Sequence, residues 1–431
     1  MRAADQLRSP FWDWAADMRV PPVTASQTLT INISTGNGVE ESEVENPLWT
    51  FRFPRAALES RFGEGQWDPD NNNERTFRCV EPGESYPRTA NELLAERPYQ
   101  SWLYNCFTRA QTFSQFASTG DIGMSLEQIH NGVHWDAACK GQFLSSEFSA
   151  FDPLFMLHHT NVDRLWAYWQ VIHPSETMFH ESYEGGARFS TREGTVITPR
   201  SPLHPFFASE DELHTPTTVD SIEDFGYTYE GLEYWEKSRE QMAQNARRII
   251  NRQYGPGNRE LKRRDGKPVR RYSVAIEVEV DGLERPCSVE LTIANHFVGN
   301  FVVMKQPRSG ILYGSFPLHD ILKAVGSVKR PLSNQGKPLD GDGIFDAIVH
   351  SFDISIVKPN GAHIPLSTVR SLKIELEDVL VTPPTSDDQF PTYGIPRRRP
   401  LIAVQRQPTA TPSSDLTPTT TTTLTPTTAY E

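Results

Sequence analysis

Residues 151–169 read Phe-Asp-Pro-Leu-Phe-Met-Leu-His-His-Thr-Asn-Val-Asp-Arg-Leu-Trp-Ala-Tyr-Trp. Asp152 followed by Pro153 is a helix start: an acceptor side chain at the cap, then a proline where a missing N–H costs nothing. The apolar spacing predicts a helix from there to about Gln170, carrying His158 and His159 roughly two turns in. Upstream, Gln128-Ile-His-Asn-Gly-Val-His-Trp135 places His130 and His134 four residues apart, on one face of a second helix. Ser125-Leu-Glu-Gln128 before them fits a capping box. Adjacent histidines on a helix point about 100° apart, so one of His158 and His159 is expected to join the pair. Three imidazoles from two helices are enough to hold one ion. Imidazole suits copper, zinc, iron and nickel, so ligand type leaves the metal open. Asp163, four residues after His159, is placed to orient its ring through the second nitrogen. Set against this, a His-x-x-x-His pair alone is commonly an ordinary surface or core feature.

The wider motif narrows the choice. Asp-Pro-x-Phe-x-x-His-His-x-x-x-Asp-Arg, Asp152 to Arg164 here, resembles the copper-B signature of tyrosinases, catechol oxidases and haemocyanins, the type-3 copper proteins. The resemblance implies copper held by His130, His134 and His159, with His158 lining the pocket. It also implies catalytic roles for Glu127, which would hold an ordered water, and Asn131, which would fix that water so that it takes a proton from a bound phenol. Ser9-Pro-Phe-Trp-Asp-Trp14, Asn46-Pro-Leu-Trp49, Phe225-Gly-Tyr-Thr-Tyr229, Gly310-Ile-Leu-Tyr-Gly-Ser315 and Phe390-Pro-Thr-Tyr-Gly394 resemble further family segments, most closely those of filamentous-fungal polyphenol oxidases. The implied activity is ortho-hydroxylation of monophenols and oxidation of o-diphenols to o-quinones with dioxygen at two copper ions, as in melanin-type pigment chemistry.

One departure stands out. The resemblance places the copper-A ligands before the Trp-Asp-Trp segment, yet the twelve histidines of the chain begin at His130. The expectation is a chain carrying the copper-B ligands alone, for which a fragment, a wrong gene start or a degenerate copy each accounts. A non-catalytic copper-binding remnant and a mononuclear tris-histidine zinc site that activates water are the competing readings. Haemocyanin-type oxygen carriage is disfavoured, because that β-domain differs.

Composition bounds the rest. The 431 residues suffice for two cores, and nine tryptophans suit a packed helical domain. The net charge of −13, with no broad basic surface, argues against a nucleic-acid partner. No apolar run is long enough to span a membrane. Cys79, Cys106, Cys139 and Cys287 show no disulfide spacing and Met1–Gln6 no signal-peptide core, so a reduced, cytoplasmic setting is expected. The partners expected are small phenols and dioxygen.

The pattern along the chain gives an α+β protein: a mainly helical, four-helix-bundle-type domain followed by a β-sandwich. Residues 1–254 are expected to form the copper domain, loop with a few short strands over 1–84, with helices over Thr89–Glu96, Tyr99–Phe116 and Gly231–Tyr254 and irregular chain over 174–228. Residues 255–271 carry seven basic and two acidic side chains and read as an exposed linker open to proteases. Period-two alternation at Tyr272–Val280, Ser288–Ile293 and Phe352–Val357 marks the covering β-domain, 272–395. Residues 396–431, rich in Thr and Pro, are expected to be disordered.

Overall fold

The structure is a computed structural model that describes residues 8–59, 61, 74–79, 81–187, 190–256, 267–324 and 341–402. Much of the expected linker (257–266) and tail (403–431) lies outside these residues.

The helical domain comprises α1 (Arg55–Leu58), α2 (Arg88–Ala95), α3 (Tyr99–Arg109), α4 (Phe113–Ala117), α5 (Leu126–Ala138), α6 (Leu154–Ile172) and α7 (Arg239–Gln253). The expected single helix over Tyr99–Phe116 is two. Thr112 is extended and its hydroxyl accepts from Gln115 N, so its side chain caps a new helix instead of continuing the old one. Likewise α7 begins at Arg239, not Gly231, because Ser238 and Gln241 form a reciprocal capping box there. The region 174–228 is not wholly irregular. Strands β3 (Tyr183–Ala187) and β4 (Thr191–Ile197) form a hairpin in which Gly186 lies against the Glu193 backbone, where a Cβ would clash at 2.8 Å. Near the start of the chain, β1 (Thr28–Thr35) and β2 (Gly38–Glu45) form another hairpin.

The segment with Trp12 and Trp14 lies against α6: Trp12 N donates to Leu157 O, and both indoles are buried. Asp13 accepts from Arg164 and from the Tyr254 hydroxyl, both at 2.7 Å, which ties this segment to α6 and to the end of α7.

The C-terminal domain has two antiparallel sheets. One runs β11 (Thr392–Tyr393), β10 (Lys373–Thr382), β5 (Val269–Glu279), β8 (Ile311–Pro317), with β12 (Arg397–Ile402) also on β10; the other runs β7 (His296–Val303), β6 (Cys287–Ile293), β9 (Phe352–Val357). Val274, Ile276 and Val278 alternate into the core from β5, as do Val289, Leu291 and Ile293 from β6. Helices α8 (His319–Ala324) and α9 (Gly341–Ser351) complete the domain. Two boundaries shift. The strand expected from Tyr272 starts at Val269, and β12 continues the fold past residue 395. Arg398 pairs with Glu377 and Arg397 with Asp378, so the arginines hold this stretch to β10.

The two domains share one continuous apolar core, bridged where Trp102 of α3 meets Phe316 of β8 edge-on at 5.2 Å. Polar contacts ring this bridge. Gln128 Nε2 donates to Ser315 O and Ser315 N donates back to Gln128 Oε1, both at 3.1 Å. Arg109 and Arg398 both donate to Glu377, and the Thr108 and Tyr393 hydroxyls meet at 2.9 Å. No helix among the described residues is long and apolar enough to cross a membrane.

Candidate metal centre

Helices α5 and α6 bring four imidazoles together: one ring nitrogen from each of His130, His134, His158 and His159 lies within 4.8 Å of the others. Both helix starts follow from the sequence. The Ser125 hydroxyl accepts from Gln128 N at the head of α5. The capping box is only half made, however, because the Gln128 amide turns outward to Ser315. At the head of α6, Asp152 accepts from Leu154 N while holding Arg78 in a buried ion pair.

Hydrogen bonding then sets the tautomers. His134 Nδ1 lies 2.6 Å from Phe143 O and His159 Nδ1 2.8 Å from Phe155 O. A carbonyl oxygen only accepts, so both rings carry their proton on Nδ1. His130 Nδ1 meets Asn131 Oδ1 at 2.9 Å and is assigned the same way. The three Nε2 atoms are therefore bare lone pairs, yet His130 Nε2 sits 3.0 Å from His159 Nε2 and 3.1 Å from His134 Nε2. With no proton between them, these contacts are repulsive until a cation takes all three lone pairs. Burial pushes His130 and His159 down to about 4 and His134 and His158 well below the ordinary value, so all four rings are neutral near pH 7, as ligation requires. The donor set fits one transition-metal ion.

The other expected residues are placed as follows. His158 is fully buried beside the triad, and neither of its ring nitrogens has a hydrogen-bond partner. An unpaired buried polar group costs roughly 1–3 kcal/mol. Asn131 lies next to His130 and meets its ring through Oδ1. Glu127 Oε2 accepts from Thr119 N at 2.7 Å and from the Thr119 hydroxyl at 3.0 Å, fastening the loop before α5. Asp163 does not orient His159: its Oδ2 takes the hydroxyls of Tyr227 (2.8 Å) and Tyr229 (2.6 Å), while Phe155 O holds the ring. Four residues C-terminal to His159, Asp163 lies a turn away from the side toward which helical side chains lean.

Residues 1–172 match the family described as the common central domain of tyrosinase. The chain is 28% identical over 274 residues to polyphenol oxidase 3 of Agaricus bisporus, covering 59% of this chain and 46% of that protein. It is 31% identical over 271 residues to a tyrosinase of Neurospora crassa, covering 59% and 38%. It thus spans less than half the length of these two curated relatives. Recombinant mushroom tyrosinase superposes with a TM-score of 0.75 at 17% identity, covering 92% of this chain and 76% of that one, which places the two in one fold.

Proposed function

We propose that the chain belongs to the tyrosinase family and that its histidine cluster is the copper-B half of a type-3 copper centre in a protein that oxidises phenols with dioxygen. The convergence of three lone pairs at 3.0–3.1 Å, each ring fixed through its other nitrogen, carries this reading. His130, His134 and His159 would hold the ion. Together with a second copper, it would pass electrons to dioxygen, the chemistry by which a monophenol is hydroxylated at the ortho position or an o-diphenol is taken to the o-quinone. The ligand rings do no proton transfer, because their Nδ1 protons are committed to oxygens. Glu127, steadied by Thr119, and Asn131, beside the first ligand, would position the water that accepts the phenolic proton. The fungal relatives favour a fungal polyphenol oxidase, and the quinones of such an enzyme would feed melanin-type pigment. Four buried free thiols suit a reduced, intracellular setting.

Metal content tests the reading. Purified chain offered copper and zinc should retain about one copper, since one triad holds one ion. His159→Ala should abolish retention by leaving two ligands. Preferential zinc uptake, or no uptake by a folded chain, would overturn the proposal.

A further inference from the structure

The four cysteines are buried and free, and two of them meet. The segment 77–79 runs directly against the end of α5: Cys79 N donates to Ala138 O and Gln142 N donates to Phe77 O, both at 3.3 Å. Gly141 has no room for a side chain there, since a Cβ would lie 2.2 Å from Phe77 O. A backbone hydrogen bond of this kind leaves the Cα atoms of Cys79 and Cys139 roughly 5–6 Å apart, where disulfides most often form. Both residues also adopt the left-handed conformation, at φ 53° and 48°, which glycine or asparagine takes with less strain. What cysteine adds in both places is a thiol.

The two thiols are not equivalent. Cys79 is 9% exposed and Cys139 is 2% exposed. The hydrogen bond between them holds the Cys79 thiol below its ordinary value and pushes Cys139 up. Cys139 Sγ also lies 3.4 Å from Glu84 Oε2, and Lys140 holds that carboxylate at 3.1 Å. Thiolate character at the outer cysteine, with a protonated thiol behind it, supplies a reactive and a resolving cysteine.

We propose that Cys79 and Cys139 are a redox site separate from the histidine cluster, a dithiol that hydrogen peroxide oxidises to a disulfide. The Cys79 thiolate attacks the O–O bond, giving a sulfenic acid and, with the proton Cys79 had lost, one water. Cys139 then attacks that sulfur to form the S–S bond. Glu84 takes the Cys139 proton and relays it to the departing oxygen, which leaves as the second water. Two thiols lose two electrons and two protons, and one peroxide becomes two waters. The product acts on both ligand helices. Cys139 is the C-terminal cap of α5, just past His134, and Cys79 adjoins Arg78, whose ion pair with Asp152 holds the head of α6.

The test treats the full chain, in the presence of a chelator, with stoichiometric hydrogen peroxide and maps its four thiols by alkylation and mass spectrometry. Two should disappear together, a Cys79–Cys139 cross-linked peptide should appear without reductant, and dithiothreitol should restore both thiols. The thermal midpoint should rise by about 5 °C or more on oxidation, because the cross-link closes a long loop. In C139S the oxidised Cys79 lacks its resolving partner and should be captured by a sulfenic-acid reagent; in C79S, Cys139 should stay reduced. Four unreacted thiols, a cross-link to Cys106 or Cys287, or over-oxidation of wild-type Cys79 without a cross-link would each overturn the proposal. Should either serine variant fail to fold, as judged by circular dichroism, the wild-type peptide map and its reversal by dithiothreitol decide alone.

Discussion

Arg78 and Asp152 form an ion pair with side chains 5% and 1% exposed. Asp152 also caps α6, so one carboxylate both starts the ligand helix and stabilises a buried guanidinium. Arg78 reaches the Thr24 carbonyl as well and lies over the Tyr86 ring at 4.5 Å. Removing the arginine strands a buried charge. Arg78→Met should cost about 3–5 kcal/mol, read from urea unfolding of the apo chain, with copper affinity falling as α6 loosens. A loss below about 1 kcal/mol would mean that water replaces the guanidinium. At this scale the clustering was partly legible: helical spacing puts His130 and His134 on one face of α5, and the packing of α6 against it brings both His158 and His159, where the 100° offset suggested one. Their partners were less so. Phe143 O and Phe155 O are backbone groups that leave no mark on residue type, although a histidine bonding the carbonyl four residues back is an ordinary helical possibility. Asp163 misled because i, i+4 spacing is silent about which neighbour has the stronger claim, here two tyrosine hydroxyls.

Among elements, the head of α5 carries an uneven load. Ser125 caps it, and Ser125→Ala should cost about 1 kcal/mol, visible as a lower thermal midpoint with copper stoichiometry unchanged. The half-made capping box was not foreseeable, because Gln128 has two possible partners and the one it takes, Ser315, is 187 residues away. The break between α3 and α4 and the late start of α7 were written in Thr112 and Ser238, whose capping propensity outweighs the apolar periodicity around them. Glycine-bearing β3–β4 escaped because a bulged hairpin breaks strict alternation. The strands β5, β6 and β9 were legible from period two, and β12 was not, since three arginines and a proline suggest no strand until acidic Glu377 and Asp378 are beside them.

Across the whole molecule, Glu377 ties the β-domain to Arg109 of α3, beside the shared apolar core, while Arg398 of β12 pairs with it from within the β-domain. Burial alone would raise Glu377, yet Arg109 and Arg398 outweigh it and hold the carboxyl below its ordinary value. A depressed carboxylate contributes stability above its unfolded pKa and loses it as pH falls through its folded pKa. Domain docking should thus hold through neutral and mildly acid pH and weaken only below the ordinary carboxylate range. In Glu377→Gln this acid dependence should flatten, as followed by thermal unfolding across pH. An unchanged profile would assign the acid sensitivity elsewhere. A second expectation concerns turnover. This chain carries one histidine cluster among its described residues, and one copper passes one electron at a time. Copper-loaded chain alone should leave catechol unoxidised, and measurable quinone formation would show that a second ion binds elsewhere.

Of the three rings whose Nε2 atoms converge, two are tethered to main-chain oxygens, at Phe143 and Phe155, and one to a side chain, Asn131. Peptide carbonyls do not change when a codon does. Drift at positions 143 and 155 can reshape the surroundings while the tethers persist, whereas every replacement at 131 changes what His130 leans on. Of the three attachments, only the one at Asn131 can be rewritten directly by mutation, so replacements there would be the direct way to retune whatever ion these rings hold.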